Sequence, residues 1–105
     1  MTNESNLSLT DRKVIDEHLA SVGTVTDVIY DSEQAMEPRW AIVKTGMFGG
    51  EHPAPLEGSY VADSGDLVIP FDRATIKNAP KVPHDHVLTR RDEEEIAEYY
   101  DLERR

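Results

Sequence analysis

The chain has 105 residues, 11 Lys and Arg against 21 Asp and Glu for a formal charge of −10, and no cysteine. That length holds one domain with a modest core, and the charge opposes binding to phosphate backbones or anionic lipid, so neither nucleic acid nor a membrane surface is an expected partner. Without thiols, disulfides, cysteine catalysis and sulfur-based zinc sites are excluded, which suits a cytoplasmic location, and no apolar run is long enough for membrane insertion.

Residues 1–9 are polar apart from Leu7 and Leu9 and read as a disordered N-terminal tail. From Thr10, short apolar stretches recur between turn signals: KVID at 13–16, VGTVTDVIY at 22–30, WAIVKT at 40–45, HPAPL at 52–56, SYVA at 59–62 and LVIPF at 67–71. The connections are rich in Gly, Asp and Pro and too short for helical crossovers, so six antiparallel strands in a small barrel or sandwich are expected. In VGTVTDVIY, Val22, Thr24, Thr26, Val28 and Tyr30 alternate with Val25, Asp27 and Ile29, giving apolar weight to both faces.

WAIV is apolar on both faces outright. Such a strand needs an inner core and a second cover, either a helix of the same chain or another molecule. Trp40 fits core volume with its indole N–H paired. The following turn, GMFGG, carries Met47 and Phe48, which either tuck onto the barrel rim or stand out as adaptable contact residues. Gly46, Gly49 and Gly50 allow the positive φ that such a turn uses.

Two helices are expected. DRATIKN has Asp72 as N-cap and Asn78 in the left-handed C-terminal position before Pro80. After an extended linker, APKVPHDHV, the segment LTRRDEEEIAEYYDLERR has Thr89 and Asp92 at capping-box spacing, acids in its first turn and Arg104 and Arg105 at its end. Ile96, Tyr99, Tyr100 and Leu102 form its apolar stripe, suited to the barrel or to a partner. The domain then covers 10–82, with linker and C-terminal helix over 83–105.

Chemistry-bearing patterns are sparse. His84, Asp85 and His86, with His18 and His52 elsewhere, lack a third ligand at recognisable spacing, so no metal site is expected. Asp92 to Glu95 are consecutive at a helix start, where they serve the dipole rather than an acid–base pair, and no nucleophile elbow or phosphate loop is present. No catalytic residue and no cofactor are assigned.

The segments VGTVTDVIYD, EPRWAIVKTGMFGG, PLEGSYV, DLVIPFDRATIKNAP and LTRRDEEEIAEYYDL, in that order over roughly residues 12 to 102, resemble the PRC-barrel domain. The resemblance is nearest to its stand-alone actinobacterial and archaeal versions. The family includes the cytoplasmic domain of the photosynthetic reaction-centre H subunit and the C-terminal half of a ribosome maturation factor. It implies a mainly β fold, a six-stranded antiparallel barrel with a short helix after the last strand, acting as a non-enzymatic docking module.

Together these readings give a protein-binding adaptor that self-associates as a homodimer or docks on a protein with a basic face. Its partner-binding candidates are Trp40, Met47, Phe48, Tyr99 and Tyr100. The competing expectation is a small-ligand or metal-binding regulatory barrel in which His84 and His86 take part.

Overall fold

The computed structural model describes residues 9–30, 38–46, 50–83 and 85–101. Its strands are β1 (Lys13–Ile15), β2 (Ser21–Tyr30), β3 (Pro38–Lys44), β4 (Glu51–Pro55), β5 (Tyr60–Val61) and β6 (Leu67–Val68), forming one six-stranded sheet in the order β4-β3-β2-β1-β6-β5. Two helices follow, α1 (Arg73–Lys77) and α2 (Arg90–Tyr99). All six expected strands are present.

The expected antiparallel barrel needs two corrections. β1 and β6 are parallel, with Val14 beside Leu67 and Ile15 beside Val68, whereas the other ladders are antiparallel. Among the described residues the sheet is also open, since no ladder joins β4 to β5. Both follow from the 56–59 connection. Tracing directions through the ladders gives β4 and β5 the same sense, so this turn, held by the Ser59 amide donating to the Leu56 carbonyl at 3.0 Å, carries the chain to the opposite sheet edge without reversing it. A meander made only of hairpins is broken there.

The main core lies inside the curved sheet, where Val14, Val22, Val25, Ala41, Val43, Ala54, Leu67 and Ile69 pack with Ile76 of α1. Leu9, read as the end of the tail, packs against this core; residues 1–8 lie outside the described residues. The alternation expected along β2 is re-phased by a bulge: Val25 pairs with Val43 but Asp27 with Ile42, so Val25 and Val28 both reach the core face. α1 packs on β2 and β4. Asp72 caps it by accepting from the Thr75 amide, but Asn78 ends it at φ −94°, ψ 3°, outside the left-handed region, with its amide donating to Ala74.

A second core lies on the outer face of β3, formed by Trp40 with Ala79, Ile96, Ala97 and Tyr100. Because residues alternate along a strand, Ala41 and Val43 enter the main core while Trp40 faces α2. The second cover that WAIV requires is therefore a helix of the same chain. That helix starts with the capping box expected at Thr89 and Asp92.

Candidate functional site

The two edges of the sheet differ. On β4, Pro53 and Pro55 have no N–H to offer, so they cannot face β3 as donors and serve an outer edge. Two of its outward carbonyls are occupied within the chain: the Val82 amide donates to Glu51 at 3.1 Å and the Tyr100 hydroxyl donates to Pro53 at 2.7 Å. The buried His52 ring bonds the Ala79 carbonyl at 2.9 Å, tying the start of the linker to the same strand. The β4 edge is sealed.

The linker is fastened further along by His86. Its Nδ1 lies 3.0 Å from Asp27 Oδ2 on β2, and its Nε2 lies 2.8 Å from Glu51 Oε1 on β4. A ring that reaches both strands must lie over β3, where Ile42 is fully buried. A neutral imidazole donates from one nitrogen only, whereas two carboxylate partners require two donors. The hydrogen bonds to Glu51 first, then to Asp27, accordingly raise the His86 pKa against the opposing effect of burial, and the same contact lowers that of Glu51. Both ring nitrogens of His86 are thus taken up by carboxylates of the same chain.

The other edge belongs to β5. Among the described residues no backbone hydrogen bond from a further element reaches Tyr60 or Val61. Both side chains are exposed, at 58% and 42%. Acidic residues flank the strand, Glu57 before it and Asp63 and Asp66 in the turn after it. The result is a bare strand with two apolar side chains inside an acidic frame.

The expected contact residues are scattered by this arrangement. Trp40 is fully buried and Tyr100 is 5% exposed within this chain: α2 covers one and the Pro53 bond draws in the other. Burial pushes the Tyr100 phenol above its ordinary pKa. The indole N–H of Trp40, expected to be paired, has no partner among the described residues. The side chains that α2 brings to it are Ile96, Ala97 and a tyrosine already committed elsewhere. Tyr99 keeps a half-exposed ring and donates to the Thr75 carbonyl at 2.6 Å. Met47, Phe48 and His84 lie outside the described residues.

Sequence reasoning missed Tyr60 and Val61 as surface. SYVA reads as one more strand, and its only further signal is the density of acids and turn residues on either side. Strand order, which makes it an edge, is a tertiary property.

No cluster among the described residues is disposed to hold a metal ion, and no helix among them is long and apolar enough to cross a membrane. A search of curated proteins finds no match to the chain. A family model for the PRC-barrel domain matches residues 2–96, a span that contains all six strands, α1 and most of α2, and the chain therefore belongs to the PRC-barrel domain family.

Proposed function

We propose that the protein is a cytoplasmic, non-enzymatic binding module that docks an extended segment of a basic partner protein along β5. The observation that carries this reading is the contrast between the edges: β4 is bonded by the chain's own linker and helix, while among the described residues nothing pairs with the outer edge of β5. An added strand would gain main-chain hydrogen bonds there, with Tyr60 and Val61 as apolar contacts. Glu57, Asp63 and Asp66 would select a basic sequence and speed its encounter. A second copy of a chain carrying −10 meets net repulsion at this edge, which favours a basic partner over self-association.

Three of the carboxylates have structural uses. Asp92 belongs to a capping box, Asp72 caps α1 and Asp27 holds His86. The absence of cysteine supports the cytoplasmic assignment.

The test is affinity capture from a native lysate with the wild-type chain and with a Tyr60→Ser/Val61→Ser variant, alongside light scattering. The expected result is a basic protein that is retained by the wild type, eluted by salt and lost in the variant. Equal retention by both chains would sink the reading. A wild-type dimer that the variant converts to monomer would reassign the edge to self-association.

A further inference from the structure

The outer face of the sheet is covered over β3 and β4 but not over β1 and β2, where a cleft of about 730 Å³ opens. Its position follows from the ladders. Lys13 pairs with Thr24, and Thr24 with Lys44, so these three stand side by side on one face. Arg73 comes in from α1, its guanidinium 3.6 Å from where a Cβ on Gly46 would stand. Ile15 gives the cleft an apolar wall, and Leu19 stands at the lip.

Three cations around one cleft are unexpected in a chain with 21 acids and 11 bases. Among the described residues none of the three forms a salt bridge. Glu51, the ladder neighbour of Lys44, is hydrogen-bonded by His86 and meets Lys44 only through longer-range charge. Asp66 is the one acid among the described residues lining the cleft, which leaves two positive charges in excess.

Leu19 supplies a second, independent observation. Its φ is +69°, a region that bulky residues avoid, and its side chain is 77% exposed. The turn that imposes this is tightly built. Buried Asp16 accepts from the amides of His18 at 2.8 Å and Ala20 at 2.9 Å, and its carbonyl accepts from the Leu19 amide at 3.0 Å. Asparagine or glycine would sit there with less strain. The turn instead holds a large apolar side chain out at the edge of a cationic cleft, the kind of cost found at ligand sites.

We infer that this cleft binds a small amphipathic dianion, a phosphate-monoester head on an apolar body. The volume is that of a small-molecule site. The excess of two charges matches the head, with Lys13 and Lys44 on the sheet and Arg73 opposite as charge-assisted donors. Ile15 and Leu19 would take the body. The cleft shares only Asp66 with the docking edge, and none of the residues that would hold the ligand lies on β5.

The experiment is an amide-resolved NMR titration of the full chain with phenyl phosphate, inorganic phosphate and benzyl alcohol. Phenyl phosphate should give saturable shifts at Ser21, Thr24 and Lys44, with inorganic phosphate weaker and benzyl alcohol without effect. A Lys13→Gln/Lys44→Gln variant should weaken phenyl phosphate by about tenfold, as loss of two partly solvated charge-assisted contacts implies. Arg73→Gln, which leaves the sheet untouched, should weaken it in the same direction. Leu19→Asn should lower affinity for phenyl phosphate and not for inorganic phosphate. Shifts that do not saturate, shifts centred elsewhere such as Arg90 and Arg91, or undiminished binding in the charge variants would each overturn the inference.

Discussion

The Tyr100 hydroxyl donates to the Pro53 carbonyl at 2.7 Å, so the C-terminal helix supplies by side chain a bond that a neighbouring strand would supply by backbone. Proline at 53 makes this necessary. It leaves β4 with an acceptor facing outward and no donor beside it, an edge that pairs poorly with another strand but still needs its carbonyl satisfied.

Tyr100→Phe and Tyr99→Phe separate this bond from its neighbour. Both rings stay, but the first change leaves a buried carbonyl unpaired and should lower unfolding stability by about 1–3 kcal/mol. Tyr99 bonds Thr75 from a half-exposed position, where water replaces the lost partner, so its variant should lose less than about 1 kcal/mol. Urea denaturation of the two proteins side by side checks the order. Equal losses would mean that the hydroxyl at 100 does not close the edge.

His86 should make the linker's attachment depend on pH. Its pKa is raised above 6.5 in the folded chain, so its stabilising contribution is complete below 6.5 and is lost as pH climbs through the raised value. Glu51 is shifted the other way. Its contribution is present above 4.5 and is lost as pH falls through its lowered value. Between those limits the bridge is whole, with Asp27 on β2 and Lys44 on β3 as the other charged groups beside it. After correction for intrinsic exchange rates, amide protection at Val82 and Val87 should therefore be greater at pH 6 than at pH 9. His86→Gln should flatten that difference. The size is modest, less than about 1 kcal/mol, because the groups are partly solvated.

Much of this was legible in the sequence, and the misses share a cause. Six strands, the Asp72 cap and the Thr89–Asp92 capping box depend on short-range patterns, and all are present. The two-faced character of WAIV also announced that something must cover Trp40. What escaped was relational. The parallel pairing of Val14 with Leu67 depends on a turn that does not reverse the chain, and the re-phasing at Asp27 depends on a bulge. The cleft needs Lys13, Lys44 and Arg73, distant in sequence, to be brought together by the sheet and α1. His86 looked like half of a metal motif, and only the fold gives it two carboxylates.

Gly23 marks a close approach of β2 to β3. A Cβ there would fall on the Lys44 carbonyl oxygen and against Val43, and neither a backbone atom nor a core valine can move aside cheaply. Gly23→Ala should therefore destabilise the fold by about 1–3 kcal/mol, the range for overpacking, despite the usual preference for alanine over glycine in a strand. Thermal unfolding reads this directly. A neutral or stabilising result would show that β2 and β3 can separate locally without loss of the core.

Trp40 is the sole tryptophan, so its fluorescence reports the outer core with no competing signal. Ending the chain after Leu88 removes Ile96, Ala97 and Tyr100, uncovers the indole and reopens the Pro53 edge. Each large side chain taken from that core forfeits about 1.5–3 kcal/mol of burial, while the main core built on Val14, Val25, Val43 and Ile69 keeps its own contacts. The truncated chain should therefore remain β-rich by circular dichroism, show red-shifted emission, and associate through the exposed face of β3. Blue emission in a monomeric truncated chain would mean that Trp40 is buried by something other than α2, and the second core would have to be redrawn. Adding the missing segment back as a peptide of residues 89–105 should restore the blue emission, because the helix contacts β3 through side chains and needs no covalent link to do so.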